Sequence, residues 1–303
     1  MSLKSPFKLI GKIFGNLYFL TFLNGFLLAS LFYLKTEANY ETQLFEVIQH
    51  SINKTVDNND TQDSIVVKAM HTCNNLLSNR ASVFENDEAL DGFKVDYFHP
   101  ATVDLMTAKG ACGSYSMILA RVLQEYHFPV RIAQMKANGI YASHNVVETE
   151  VYNRWIVLDP TYNLYFVTPN KQLATFNDIK NNWNYYSKQV PSNYNLTYKY
   201  EDVRYTNWGK VPVLSATIKG AISLFLGKNE INTFCLRVHF LKTYDVFYYI
   251  VLSLFLLVFI FTLVKVIKTK FSRTYNTPVT FQDLSEYIKP HSERAPLKRG
   301  IDS

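Results

Sequence analysis

The sequence predicts an α+β domain, a helix packed on an antiparallel sheet, carried between two transmembrane helices. Three observations point there. Two long uncharged apolar blocks lie near the ends of the 303-residue chain. Between them, helical apolar stripes give way beyond Pro129 to runs rich in β-branched and aromatic residues. Finally Cys112, His144 and Asp159 fall in turn at a helix start, a strand start and a strand end.

The first block runs from Ile13 to Leu34, "IFGNLYFLTFLNGFLLASLFYL". It carries no charge and reaches the roughly 20 helical residues that a hydrocarbon core requires. Asn16 and Asn24 interrupt it, and a spanning helix tolerates a single buried amide. Its length exceeds the roughly 7–15 apolar residues of a secretory signal, and no clear A-x-A site follows, so it reads as an uncleaved anchor. The second block, Phe247 to Val264, is more uniformly apolar.

Flanking charge sets the expected orientation. Lys4, Lys8 and Lys12 precede the first block, and Lys265, Lys268, Lys270 and Arg273 follow the second. Basic flanks stay on the cytoplasmic side. Both termini are therefore expected inside, with the intervening domain extracytoplasmic. The resulting division is a tail over 1–12, a span over 13–34, a helical exported segment over 35–91 and a folded domain over 92–210. A juxtamembrane segment over 211–244, a second span over 245–265 and a cytoplasmic tail over 266–303 complete it. The net charge of +6 is then a membrane signal, since the six flanking lysines and one arginine together exceed it. No DNA- or RNA-binding pattern remains, and the oligomeric state is not legible.

Within the exported segment, Val66, Ala69, Met70, Cys73, Leu76 and Leu77 recur at helical spacing, which makes Cys73 a buried small apolar residue. His71 falls off that stripe and reads as exposed. Residues 91–110 are irregular, and Asp96 and Asp104 there read as turn-forming. Tyr115, Ile118, Leu119, Val122, Leu123 and Tyr126 then form a stripe over three turns, a core helix starting near Cys112 and stopped before Pro129. "PVRIAQM" is extended in character, followed by a loop at Asn138–Gly139. Val147, Thr149 and Val151, then Trp155 and Val157, suggest two strands joined near Asn153. Glu148 and Glu150 read as solvent-facing. Residues 172–187 read as one more helix, and residues 211–243 as a segment lying along the membrane surface.

The three cysteines, Cys73, Cys112 and Cys235, are an odd number, so at least one thiol is free or paired in trans. No Cys/His cluster has zinc-ligand spacing. No metal or cofactor is expected. Cys112 differs from the other two in its surroundings, "KGACGSYSMILARVLQ". A helix N-terminus stabilises thiolate through the macrodipole and offers backbone N–H groups to a developing oxyanion. Small neighbours leave room for a carbonyl. A histidine can pair with the thiolate and later protonate a leaving group, and a carboxylate can fix that imidazole. His99, His127 and His239 have no such company.

"GACGSYSMILARVLQEYHFPVRIAQM" followed by "HNVVETEVYNRWIVLDPTYN" resembles the core of the transglutaminase-like superfamily over roughly residues 92–185. That core has a G-x-C helix start, a histidine opening H-x-x-x-E-V and a W-[VI]-x-L-D-P-T strand end. The resemblance implies a papain-like core with Cys112 as nucleophile, His144 as base and Asp159 as orienting carboxylate. It makes Trp155 the core tryptophan of the hairpin. The chain departs from the pattern at the G-I-P-A-R-like strand entry of that core, where it reads His127–Phe128 before Pro129, and at Val146, where many members have an aromatic; no side-chain oxyanion donor upstream of Cys112 is identifiable. The implied chemistry is acyl transfer from an amide through a Cys112 thioester. Members with this compact core resemble peptidases or amidases more than cross-linkers, so hydrolysis of a peptide or protein amide in the cell envelope comes first. The contrasting expectation is a non-catalytic, membrane-tethered binding or assembly module. One geometric difficulty stands: a two-residue turn at Asn153–Arg154 would pair Asp159 with Glu148. His144 would then lie roughly 13 Å along the strand, and contact would require a longer loop or a bulge.

Overall fold

The computed structural model describes residues 15–57, 59–84, 100–210 and 230–275, with a few positions between 219 and 227. The basic residues Lys4, Lys8 and Lys12, the stretch holding Asp96 and His99, residues 211–218 and the tail beyond 275 lie outside the described residues. Two compact units divide the chain, Met1–Ser30 with Val251–Ser303, and Leu31–Ile250. The larger unit thus contains the stretches over 35–91, 92–210 and 211–244 together.

In the smaller unit the described residues from Leu17 onward are helical. Helix α1 (Leu17–Asn53) begins there, and helix α8 (Thr243–Tyr275) ends there. Both are long and apolar enough to cross a membrane. Phe22, Phe26, Leu257 and Phe259 point outward from them. Asn24 is not stranded among these side chains. Its Nδ2 donates to Leu20 O at 2.8 Å and to Thr262 Oγ1 at 3.0 Å, joining the two helices.

The larger unit is built on one antiparallel sheet. Strands β1 (Val130–Ala137), β2 (Ile140–Val151) and β3 (Arg154–Asp159) form a meander. The short strands β4 (Leu164–Tyr165) and β5 (Val203–Arg204) complete the order β4-β3-β2-β1-β5. Helix α4 (Cys112–Glu125) packs on β1 and β2, and is itself covered by α2 (Gln62–Phe84) and α3 (Ala101–Thr107). Covered on more than one side, α4 is buried almost all round from Ser114 to Leu123. The stripe of α2 buries Val66, Ala69, Met70, Cys73 and Leu77 as expected. His71 departs from expectation: it is half-buried, with Nδ1 2.6 Å from Asn163 Oδ1.

Arg121 is the one charged residue of α4 with no exposure, and it is held from two sides. Its guanidinium pairs with Glu125 and lies 3.9 Å from Glu41 of α1, with the Phe45 ring 4.7 Å beneath it. Gln49 and Tyr126 add hydrogen bonds between α1 and the end of α4. The lower half of α1 is thereby fastened to the helix that carries Cys112.

The segment before α8 also belongs to this unit. Helix α7 (Leu236–His239) packs on β1, and Cys235, Leu241 and Tyr244 are buried. Those residues were expected on a membrane surface. Cys235 and Leu241 join the hydrophobic core instead, and Leu236 N and Phe234 O are both satisfied by Thr206 Oγ1. The helix expected over 172–187 is two short ones, α5 (Phe176–Asn181) and α6 (Trp183–Tyr186), broken at Asn182. A capping box between Thr175 and Asp178 starts the first.

Candidate active site

Register explains how His144 and Asp159 meet. The β2–β3 turn is Tyr152–Asn153, one residue earlier than the spacing suggested. Both residues have positive φ, 50° and 61°, the mirror-type turn that matches strand twist. Val147 pairs with Leu158, so one further step sets Asp159 across from Val146. His144, two residues on from Val146, shares that face and is a diagonal neighbour of Asp159. His144 Nε2 lies 2.7 Å from Asp159 Oδ2, and the residues are 2% and 0% exposed. No bulge in this hairpin is required. A bulge does exist on the other side, where Met135 pairs with His144 but Lys136 pairs with Tyr141. Ala142, in that bulge, holds a φ of 66°.

The other carboxylate oxygen of Asp159 accepts from the N–H groups of Thr161 and Tyr162, at 3.1 and 3.3 Å. Asp159 is therefore clamped by the turn that follows its strand. With Nε2 engaged by Asp159, Nδ1 is the nitrogen left for the thiol. Cys112, half-buried at the first residue of α4, has His144 and Asn145 as the neighbours that act on its ionisation. Asn145 Nδ2 lies 3.5 Å from Cys112 Sγ. His144 is thus held by Asp159 and acts in turn on the charge of Cys112.

Electrostatics follow from those contacts. Burial opposes a charge on His144, but the Asp159 carboxylate and its hydrogen bond, with help from Cys112, raise the imidazole to about 9. Burial also opposes ionisation of Cys112. The hydrogen bond and charge of His144, together with the backbone and side chain of Asn145, outweigh it and lower the thiol below its ordinary value. The two shifts favour a thiolate–imidazolium pair. Cys73 is the internal contrast, since burial alone pushes its thiol up to about 12.

No family model, curated protein or solved structure matches the chain.

The local backbone shows how the thiol is presented. Ala111, just before Cys112, has φ 46° and ψ −128°, a strained conformation for a residue with a Cβ. A Cβ on Gly110 would lie 2.5 Å from Ser114 Oγ, so a side chain there would displace that hydroxyl. That hydroxyl accepts from Gly110 N and donates to Asp104 Oδ1, at 2.9 and 2.5 Å. Asp104 is buried in α3 and fastens the start of α4 to it, a stronger role than the turn formation expected. Ser116 Oγ donates to Asn145 O at 3.0 Å and ties α4 to β2 beside His144.

Four residues joined to this site were not singled out by the sequence. Tyr198 stacks flat on His144, with centroids 4.6 Å apart and planes 4° from parallel, and Tyr162 lies tilted at 5.6 Å. Tyr194 packs on Tyr162 and donates to Tyr198 O, bracing both rings. Asn145 is the fourth. It is 8% exposed, and its Oδ1 has no hydrogen-bond partner among the described residues. Adjacency to His144 was a signal for Asn145, and the "DPTYN" run for Tyr162; Tyr194 and Tyr198 sit in a stretch with no periodicity at all.

Two expectations are corrected. Glu148 is buried at 1% and paired with Arg131 at 2.7 Å. Trp155 is half-buried rather than central, and its ring carries the Arg131 guanidinium at 4.1 Å. Among the described residues, no group of three His, Cys, Asp or Glu side chains is placed to hold a metal.

Proposed function

We propose that this chain is a thiol-dependent acyl-transfer enzyme of transglutaminase-like type, anchored in a membrane and acting first as an amide or peptide hydrolase. The observation that carries the reading is the Cys112–His144–Asp159 line, with the thiol lowered and the imidazole raised. The thiolate attacks an amide carbonyl, forming the C–S bond and an oxyanion. The backbone N–H of Cys112 at the helix start and Asn145 Nδ2, 3.5 Å from the thiol, are the donors we assign to that oxyanion. Collapse breaks the C–N bond, and the proton on His144 passes to the leaving amine. Water then attacks the thioester carbonyl, His144 takes its proton, and the C–S bond breaks to give the acid and the thiol. An amine in place of water gives transamidation by the same steps. Asp159 holds the imidazole in place throughout.

The two apolar helices and the basic residues beside the blocks support a two-pass topology, with both termini cytoplasmic and the Cys112 domain extracytoplasmic. The test of activity is direct. The full-length protein is incubated with an acyl p-nitroanilide, quenched in acid and digested for mass analysis. The expected result is an acyl adduct on Cys112, removed by hydroxylamine and absent in Cys112→Ala. A clean Cys112 peptide in the wild type, across a panel of acyl donors, would leave the fold as a tethered binding module.

A further inference from the structure

A cleft of about 680 Å³ is lined by Gly113, the residue after Cys112, and by Asn145, whose Nδ2 lies 3.5 Å from Cys112 Sγ. Its size falls within the roughly 300–1,000 Å³ of sites that enclose a small ligand. The near wall is α4, with Met117. The far wall is Leu236 of α7, Phe240, and the first turns of α8 through Thr243 and Phe247. Phe240 is 46% exposed, a large apolar side chain held at the rim with no cover. The exposed Arg237 stands beside it and supplies a cation.

Phe247 also lies in the first turn of the uncharged apolar run of the second span. The same turns of one helix therefore form a wall of the cleft and the start of a membrane-spanning segment. A ligand anchored in the bilayer meets this wall where it leaves the hydrocarbon, whereas a soluble peptide gains nothing from its position. The aromatic and aliphatic walls suit an alkyl chain, and Arg237 suits an anionic headgroup at the interface.

We infer that the acyl donor is carried on a membrane lipid, with its alkyl chain lying along Met117, Leu236, Phe240 and Phe247 and its carbonyl at Cys112. This inference rests on Cys112 being the nucleophile, and adds the class of substrate that reaches it.

Two thiol-alkylating probes test it, palmitoyl-glycine chloromethyl ketone and acetyl-glycine chloromethyl ketone. In each, the thiolate displaces chloride and forms a C–S bond, so the readout does not depend on turnover. The full-length protein is held in vesicles of phosphatidylglycerol and phosphatidylethanolamine, and alkylation of Cys112 is timed by mass spectrometry. The ratio of palmitoyl to acetyl rates in wild type is expected to exceed that in Phe247→Asn by about tenfold, the loss of one well-buried aromatic contact. Phe240→Asn, at an exposed position that folding tolerates, is expected to lower the ratio in the same direction. An unchanged ratio in both variants overturns the inference, because partition into the vesicles alone would then explain any preference. Failure of both probes to alkylate wild-type Cys112 overturns the nucleophile reading itself, and the inference with it.

Discussion

Asp159 bears on Cys112 only through His144, so a change at residue 159 is best read at the thiol. Asp159→Asn removes the charge that holds the imidazole near 9, and the thiolate loses its counter-ion at neutral pH. Acyl transfer is expected to fall by roughly a hundredfold or more, with the acid limb of its pH profile moving up. In wild type the productive pair requires Cys112 ionised and His144 protonated. The rate should therefore rise as pH passes the lowered thiol value and fall as pH passes about 9. Asn145→Ala removes a donor at the oxyanion and is expected to cost about 10²–10³ in kcat with KM little changed. A loss confined to KM would assign Asn145 to binding instead. Cys112 and Asp159 were legible because each sits at an element end whose flanks have a pattern of their own, whereas His144, expected to open its strand, lies inside β2. Asn145 had only its adjacency to His144 as a signal, since an asparagine inside a strand run has no periodic signature and its closeness to the thiol depends on how β2 lies on α4.

At the scale of elements, the β2–β3 turn decides whether the site exists. Tyr152 and Asn153 both sit at positive φ, and the register they set makes His144 and Asp159 diagonal neighbours. One glycine inserted between Tyr152 and Asn153 is expected to slip the register and abolish activity, while far-ultraviolet circular dichroism shows the sheet retained. Tyr152→Asn should leave activity in place and raise stability by about 0.5–1 kcal/mol, because asparagine adopts this conformation more readily than tyrosine. Thermal unfolding of the two variants separates turn strain from register. The strands and the turn region were visible from β-branched runs, yet the exact turn was not, because Asn153 fits either of two turn positions. The diagonal contact dissolves the difficulty that a straight-across pairing posed. β4 and β5, two residues each, are too short for any alternation to announce them.

For the whole molecule, the apolar helices and the folded unit make separate demands on the sequence. Arg121 is buried between Glu41 and Glu125, and Arg121→Ala is expected to destabilise the larger unit by about 3–5 kcal/mol, by removing the cation between two carboxylates. Urea unfolding followed by tryptophan fluorescence measures that cost, and a loss below about 1 kcal/mol would show the pair to be energetically idle. Asn24→Leu acts elsewhere and should weaken the pairing of the two apolar helices by roughly 0.6–2 kcal/mol without altering Cys112 reactivity. Uncharged length made those helices plain in the sequence. The packing of residues 231–244 into the domain was not plain, because a mixed apolar and basic segment has the same composition on a membrane surface as on a sheet. The central claim is that Cys112 is a thiolate held by His144 and Asp159. Its most direct test is the pH dependence of iodoacetamide alkylation at Cys112 in the full-length protein and in Asp159→Asn. The wild-type midpoint is predicted to lie below the ordinary thiol value of about 8.5 and to move up towards it in Asp159→Asn. A wild-type midpoint at or above that value, unmoved by the substitution, would contradict the account.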